Sequence, residues 1–381
     1  MNINSMNVEQ TLEKLVAIDS VSSRSNREII SYASARAEAC RMNLRFFPYT
    51  DEHGVEKVNM LAVTPHTASA DEPIGLALVG HTDTVPYDPS WTDATRLTER
   101  DGKLYGRGAC DTKGFIAAAL RAVEQADSAR LRRPLALILT ADEEVGCLGA
   151  KQLADERAFS VLYSIVGEPT SLRPIRAGKG YCLAEVFVGG REGHSAYPAL
   201  GASAIFRAAR LIGRIEEVAE RLKTDRHPAF DPPYTTLNVG IIEGGSAKNI
   251  IAGRCRFTLE WRPIPGQAAM HVIELIQAEI EGLRGRDADF ACEINVIRAD
   301  EGVETPTDSP LVRALEEATG RAAGTVSFGT EAPQMVRLGA QAVVFGPGDI
   351  REAHRTGEFV PVAELHSCVE ALSRAINRFC M

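Results

Sequence analysis

Four short apolar runs constrain the fold of this chain more than any other feature. They are rich in Val, Ile and Leu, and they read NMLAV (59–63), IGLALVG (74–80), PLALILTA (134–141) and VLYSIVG (161–167). Runs without polar alternation are typical of strands buried on both faces of a mostly parallel sheet. Because segments with helical spacing alternate with them, the sequence predicts an α/β fold in which helices sandwich a mixed, mostly parallel sheet.

The pattern changes near residue 178. A strand, a long amphipathic helix, two strands, a second helix and a last strand follow one another up to residue 298. This β-α-β-β-α-β order is the signature of a ferredoxin-like α+β fold. Helix–strand alternation then resumes, and 381 residues exceed the usual size of a single core. We therefore expect a discontinuous first domain, 1–177 and 299–381, with an inserted domain at 178–298.

Composition narrows the range of partners and compartments. The net charge of −9 disfavours nucleic acid or an anionic membrane as a partner. No apolar stretch approaches the roughly 18 residues of a membrane span, and MNINSMNVEQ does not resemble a secretory signal, so a cytoplasmic location is predicted. The eight cysteines include no CxxC pair, which argues against a disulfide framework or a zinc knuckle.

Several acidic or imidazole side chains follow the predicted strands. In open α/β sheets, ligands bind beyond the carboxyl ends of the strands, so we expect these side chains to form a site. A set of nitrogen and oxygen donors without thiolate suits one or two divalent ions, with imidazole favouring zinc or its neighbours. The side chains are His81, Asp83, Asp111, Glu143, Glu144, Glu168 and His354.

Each of these clusters also has a simpler interpretation. His81 and Asp83 could form a structural hydrogen-bonded pair, and the adjacent glutamates Glu143 and Glu144 could belong to a solvated turn. A site is favoured because every cluster follows an apolar strand at the end where sites form. Two adjacent glutamates cannot both point the same way, so one can ligate an ion while the other acts as a general base.

The motifs GHTDTVP, LYGRGACDTKG, TADEEVG, GEPT and GPGDIREAH resemble those of the dinuclear zinc amidohydrolases, a family that includes aminoacylase, glutamate carboxypeptidase and succinyl-diaminopimelate desuccinylase. The resemblance covers nearly the whole chain. PIRAGKG, WRPIPG and TEAP are most similar to the members that act on N-acetyl-L-ornithine. The resemblance thus implies hydrolysis of this amide to L-ornithine and acetate in arginine biosynthesis, by a homodimer joined through the inserted domain.

The same resemblance implies a role for each polar residue named above. Asp83 would orient His81, Glu143 would be the general base for the attacking water, and a cis peptide would follow Asp111. Two divalent ions, zinc before cobalt, would be bound, one by His81 and Glu168, the other by Glu144 and His354, with Asp111 bridging them.

In the inserted domain, the resemblance implies that His194 reaches the partner subunit's active site and stabilises the oxyanion. It places Asn249 and Arg262 at the substrate carboxylate, which a guanidinium can bind through two hydrogen bonds. Simpler roles remain open: a cap for His194, a turn for Asn249 and a local ion pair for Arg262. Glu331 lies in SFGTEAPQM, where many relatives have a loop rich in Gly, Ser and Asp, and we hypothesise that it pairs with a cationic substrate side chain.

Other activities compete with this interpretation. N-acetylcitrulline, succinyl-diaminopimelate or a dipeptide are alternative substrates that the same metal centre could hydrolyse. A catalytically silent homologue that only binds ligands is a more distant alternative. It is disfavoured because all seven positions implied for the ligands, the base and the orienting carboxylate carry suitable residues.

Overall fold

A computed structural model describes residues 6–65 and 72–381 of the chain. The α-helices of these residues are α1 (Val8–Ala17), α2 (Arg27–Ala39), α3 (Lys113–Gln125), α4 (Leu148–Asp155), α5 (Ala204–Leu222), α6 (His271–Arg284), α7 (Pro310–Thr319), α8 (Ala332–Arg337) and α9 (Val362–Cys380). The strands are β1 (Asn43–Thr50), β2 (Glu56–Val63), β3 (Ile74–His81), β4 (Thr98–Arg100), β5 (Lys103–Tyr105), β6 (Leu135–Thr140), β7 (Val161–Val166), β8 (Ile175–Gly178), β9 (Tyr181–Gly189), β10 (Gly193–His194), β11 (Thr236–Gly244), β12 (Ile250–Ile251), β13 (Arg254–Arg262), β14 (Cys292–Asp300), β15 (Val303–Glu304), β16 (Gly324–Val326), β17 (Gln341–Val344) and β18 (Phe359–Pro361).

The chain divides into two compact units. The first contains Met1–Arg176, Thr305–Gly324 and Thr330–Met381, and the second contains Ala177–Glu304 and Thr325–Gly329. The sequence places the boundaries at 178 and 298, and that the two units are separate domains with distinct roles stays a prediction. None of the helices in 6–65 and 72–381 is long and apolar enough to cross a membrane.

The first unit is built on a mixed sheet with the strand order β1-β2-β6-β3-β7-β17. The central strands β6, β3, β7 and β17 pair in parallel, whereas β1 and β2 are antiparallel to their neighbours. Every residue of β3 and β6 is buried, as expected for strands covered on both faces. The predicted α/β class with its mixed sheet is confirmed.

Helices cover both faces of this sheet because alternate residues of each strand point to opposite sides. Leu76 and Leu78 of β3 join the large core cluster that contains residues of α1, α2, α3, α7 and α9. Ala77 and Val79 are equally buried on the other side, where α8 packs on β7 and β17 and α4 packs on α8. The parallel strands therefore end at one edge of a rigid layer, and the polar residues that follow them meet there.

The second unit is an antiparallel sheet of four strands, in the order β11-β13-β9-β14, packed against α5 and α6. Its core is closed by Trp261 and Phe257, which are almost completely buried, and Trp261 donates its Nε1–H to the carbonyl of Ala269 at 2.7 Å. The chain order of the sheet and its two helices is β-α-β-β-α-β, the order of a ferredoxin-like fold.

Candidate metal centre

Asp111 lies between two histidines at the carboxyl edge of the first unit's sheet. Its Oδ1 is 3.0 Å from Nε2 of His81, the last residue of β3, and its Oδ2 is 3.0 Å from Nε2 of His354. Asp111 and His81 are buried, whereas His354 is partly exposed. The two oxygens of one carboxylate thus face two different imidazoles, which is the geometry of a bridging ligand.

Two glutamates complete the group of predicted ligands. The Glu144 carboxylate is 3.1 Å from Nε2 of His354, on the same side as Asp111 Oδ2. Glu168, which follows β7, is 5% exposed. Burial raises the pKa of Glu144, and burial together with the neighbouring Asp111 carboxylate raises the pKa of Glu168 well above its ordinary value. Ionising both glutamates here requires a nearby positive charge.

The imidazoles supply part of that charge. Burial alone would lower the pKa of His81, but its hydrogen bonds with Asp111 and Asp83 raise it well above the ordinary value. Hydrogen bonds to Asp111 and Glu144 raise the pKa of His354 to about 10. Burial would raise the pKa of Asp111, yet the two histidines lower it. The pKa shifts of the two imidazoles and of Asp111 thus have the directions expected when an imidazolium and a carboxylate stabilise each other.

The donor set fits divalent cations. One ligand atom each from His81, Asp111 and Glu144 lies within 4.8 Å of the others. Nitrogen and carboxylate donors at this spacing match the preferences of zinc and its neighbours, and a cation would replace the imidazole protons. Nε2 of His354 contacts both Asp111 and Glu144, so it adds a fourth donor next to this group.

Asp83 organises the loop that carries the two glutamates. Its Oδ1 accepts the backbone N–H of Glu143 at 3.1 Å, and its Oδ2 accepts that of Glu144 at 3.3 Å and the hydroxyl of Ser22 at 2.7 Å. The nearest partner of His81 Nδ1 is the Asp83 carbonyl at 3.0 Å, whereas the carboxylate is 3.6 Å away. The carbonyl and the carboxylate of Asp83 thus both lie near the ring of His81, and the carboxylate also holds the glutamate loop; that Asp83 orients His81 stays a prediction.

Glu143 lies in a turn and is partly buried, and its role as a base stays a prediction. Burial is the main cause that raises its pKa to about 8; His81 opposes this shift, and Glu144 and Glu331 add to it. A carboxyl group with a pKa near neutrality can both accept and return a proton at physiological pH. Its Oε1 accepts a hydrogen bond from the Cys147 thiol at 3.3 Å.

Glu358 is a functional residue that sequence reasoning missed. Its Oε1 accepts the backbone N–H groups of Cys110 and Asp111 at 2.9 and 3.0 Å, and its Oε2 pairs with Arg107 at 2.5 Å. The implied cis peptide between Asp111 and Thr112 is present and confirmed. Glu358 thus fixes the backbone that carries the bridging carboxylate. Its place four residues after His354 was the only signal in the sequence.

Glu331 is buried in the first unit and not on an exposed loop. It is 1% exposed, and its Oε1 has no hydrogen-bond partner among the residues that the structure describes. Burial raises its pKa to about 7, opposed by His81 and by a hydrogen bond with Thr140. A buried carboxylate oxygen without a donor is costly, so a ligand that offers a donor would be stabilised there.

Glu331 should make the metal-free protein less stable as the pH rises from about 5 to about 7. Its pKa is about 7 in the folded protein and near the ordinary 4.5 when unfolded, so in this range only the folded state retains the proton. The free energy of unfolding then falls with pH, by at most on the order of 3 kcal/mol from this group. We expect Glu331→Gln to flatten the dependence of melting temperature on pH. Parallel curves for wild type and variant would exclude this contribution.

The remaining predicted site residues belong to the second unit. His194 pairs with Ile250 across β10 and β12, and the N–H of Ser195 donates to the Asn249 carbonyl at 3.0 Å. His194 is exposed, and its Nδ1 accepts the N–H of Ala196 at 3.1 Å. His194 and Asn249 are therefore neighbours on adjacent segments, as a shared role at one ligand would require.

Arg262 lies at the end of β13 and is held on three sides. Its Nε donates to Glu260 at 2.7 Å, its Nη1 donates to the Ser327 carbonyl at 2.8 Å, and its guanidinium carbon lies 4.7 Å from the centre of the Tyr181 ring. The local ion pair that the sequence left open is thus present. The contacts fix the plane of the guanidinium and leave donors for a further acceptor, since Arg carries five.

Comparisons with known proteins agree on one family. The model of peptidase family M20/M25/M40 matches residues 77–378. Curated relatives include the acetylornithine deacetylase of Myxococcus xanthus, 55% identical over 97% of each chain. That of Proteus mirabilis (strain HI4320) is 35% identical over 100% of this chain and 99% of its own.

Solved structures share the fold at lower identity. A tripeptidase from Staphylococcus aureus superposes with a TM-score of 0.75 at 21% identity, covering 98% of both chains. The aminopeptidase PepT from Bacillus cereus gives a TM-score of 0.77 at 20% identity, also over 98% of both chains. At these identities the likeness establishes the architecture and leaves the substrate open.

Proposed function

The chain belongs to peptidase family M20/M25/M40, and from this membership and the centre at Asp111 we propose that it hydrolyses the amide of N-acetyl-L-ornithine to L-ornithine and acetate. The observation that carries the reaction type is the Asp111 carboxylate, which faces two imidazoles with one oxygen each, together with Glu143, whose pKa is about 8. The support for the substrate is the 55% identity to a curated acetylornithine deacetylase. This activity would place the chain in arginine biosynthesis.

The family membership implies the use of divalent metal. We propose two ions and prefer zinc to cobalt as their identity. One ion would be held by His81 and Glu168 and the other by Glu144 and His354, and Asp111 would bind both. Ions in these positions would polarise the amide carbonyl and activate a water. The contacts that support this assignment are those of Asp111 with both histidines and of His354 with Glu144.

Glu143 would perform the proton transfers. Its carboxylate would take a proton from the attacking water and return it to the leaving amine, two steps that need a group titrating near neutrality. Asp83 fixes the Glu143 backbone N–H at 3.1 Å, which limits the positions that the carboxylate can reach. His194 would stabilise the oxyanion of the tetrahedral intermediate by hydrogen bonding.

Three residues are proposed to recognise the substrate. Arg262 and Asn249 would bind the substrate carboxylate, and the fixed plane of Arg262 would favour two parallel hydrogen bonds. Glu331 would pair with the δ-ammonium of the ornithine side chain, which would supply the donor that its buried Oε1 lacks. The binding of a cation would also offset the cost of ionising Glu331.

We further propose a homodimer joined through the second unit and a cytoplasmic location. Edge strand β11 is exposed along much of its length, with apolar Ile241 and Ile242 59% and 50% exposed. An exposed apolar edge strand is a template for pairing with another chain. All eight cysteines are free thiols, as is usual in reducing compartments.

The test of the function is a hydrolysis panel on protein stripped by a chelator and reloaded with zinc, cobalt or manganese. The panel contains N-acetyl-L-ornithine, N-acetylcitrulline, succinyl-diaminopimelate, N-acetyl-leucine and a dipeptide. We expect N-acetyl-L-ornithine to have the highest kcat/KM with at least one metal. Absence of its hydrolysis with every metal would reject the substrate, and hydrolysis of another compound would then identify the alternative.

Glu331→Gln is expected to narrow the preference for N-acetyl-L-ornithine over N-acetyl-leucine. Removing a charge that pairs with a buried cation costs affinity for the cationic substrate by about 10- to 100-fold, whereas the neutral substrate is little affected. The ratio of the two kcat/KM values measures this change. If the ratio in Glu331→Gln equals that of the wild type, Glu331 does not recognise the side chain of the substrate.

A further inference from the structure

Lys57, on β2, is a buried lysine that the proposed mechanism does not use. It is 1% exposed, and its Nζ donates to the carbonyls of Ser22 and Arg24, the latter at 2.9 Å, and to Asp142 Oδ1 at 2.8 Å. Each of its three protons therefore has an acceptor. The ammonium joins the loop that contains Ser22 to the turn that contains Asp142.

The turn at Asp142 leads directly into the proposed base. Asp142 has a φ of 58°, in the left-handed region, and immediately precedes Glu143. Its second carboxylate oxygen accepts the hydroxyl of Tyr49 at 2.8 Å. Lys57 and Tyr49 thus each donate to one carboxylate oxygen of Asp142. These two hydrogen bonds fix the orientation of the Asp142 side chain.

The loop that contains Ser22 is also connected to Glu143 and Glu144, through Asp83. Ser22 Oγ donates to Asp83 at 2.7 Å, and the Asp83 carboxylate accepts the N–H groups of Glu143 and Glu144 at 3.1 and 3.3 Å. The Lys57 ammonium therefore connects both supports of the glutamate loop, one through Asp142 and the other through Ser22 and Asp83.

We propose that Lys57 is a positioning residue that holds the Glu143–Glu144 loop in its reactive geometry by tying the Ser22 loop to the Asp142 turn. This inference rests on the proposed function, because it assigns to Glu143 the role of base. A displacement of about 1 Å in a reacting group can lower the rate by about 100-fold. Lys57 acts through other residues and need not contact the substrate.

The competing explanation is that the ion pair of Lys57 and Asp142 only stabilises the fold. Buried ion pairs are weak evidence for stability, because desolvation offsets the attraction between the charges. The first unit offers a matched control in Arg36 and Glu124, whose side chains are 0% and 5% exposed. Arg36 donates hydrogen bonds to Glu124, Thr11 and Tyr32, and none of these three is a predicted site residue.

The experiment compares Lys57→Met/Asp142→Asn with Arg36→Met/Glu124→Gln, each of which removes both charges of a buried pair. We expect kcat of the Lys57 variant to fall about 10- to 100-fold, the usual cost of losing an outer partner of a metal site, with KM and metal content close to wild type. The control variant should keep the wild-type kcat. Hydrogen exchange of the segment 142–147 in the metal-free protein should be faster in the Lys57 variant only.

Tyr49→Phe provides a milder second variant in case the double substitution prevents folding. It removes one hydrogen bond to Asp142, and we expect kcat to fall about 3- to 10-fold at unchanged KM. Equal changes in the Lys57 and control variants, or an unchanged kcat and exchange rate in all of them, would overturn the proposal. Wild-type turnover in the same assay tests the function separately, and the exchange measurement needs no substrate.

Discussion

Glu143→Ala should lose nearly all hydrolytic activity while it retains its metal ions. Glu143 is proposed as the group that moves protons between water and the leaving amine, and such a group contributes about 100- to 10,000-fold to the rate. None of the contacts that surround Asp111 and the two histidines involves the Glu143 side chain. The ligands should therefore stay in place when the base is removed.

Two further variants make this test specific. Glu143→Gln retains the size of the side chain but cannot accept the proton, and we expect it to be as inactive as the alanine variant. Glu156→Gln removes an exposed carboxylate at the end of α4 and should leave kcat unchanged. Turnover is measured by release of acetate, and metal content by elemental analysis. Wild-type kcat in Glu143→Gln would remove Glu143 from the mechanism.

The central sheet could be predicted because its strands are buried on both faces. Continuous apolar runs at β2, β3, β6 and β7 indicate buried strands, and the helical spacing between β3, β6 and β7 implies parallel crossovers among these three. Strand β1 escaped prediction for the opposite physical reason. It lies at the edge of the sheet, where Pro48 is tolerated, and its eight residues show no fully buried position.

The residues of the metal centre could be identified for a related reason. Parallel strands end at one edge, so residues as far apart in sequence as His81 and Glu144 must come together once the strands are recognised. The residues that support them carry no such signal. Lys57 and Glu358 lie in segments without a motif of their own, and their partners Asp142 and Asp111 become visible only in three dimensions.

Asp83 illustrates the same limit within a recognised motif. Its spacing from His81 indicates a carboxylate–histidine pair, and the resemblance implied that the carboxylate orients the ring. Its carboxylate lies 3.6 Å from Nδ1 of His81 and also accepts hydrogen bonds from Ser22, Glu143 and Glu144, and the carbonyl of Asp83 lies nearer to the ring, at 3.0 Å. Sequence predicts which residues gather at a site, but the division of hydrogen bonds among them depends on the path of the backbone.

Asp111→Ala should abolish both metal binding and hydrolysis, whereas His81→Ala and His354→Ala should each retain about one ion per chain. The Asp111 carboxylate faces His81 with one oxygen and His354 with the other, so it is the only proposed ligand that serves both ions. Loss of a shared ligand removes an anionic donor from both sites, while loss of one imidazole leaves the second site with its own donors.

Metal stoichiometry distinguishes this arrangement from a single site. Each variant is reloaded with zinc, dialysed and analysed for metal per chain. Asp155→Ala is the control, because that carboxylate is 66% exposed and pairs with Arg337, which is not a proposed ligand. Zinc should raise the melting temperature of wild type and control, because binding to the folded state alone stabilises it. Asp111→Ala should show no such increase. Two ions in Asp111→Ala, or none in both histidine variants, would contradict the bridging role and require a different division of ligands.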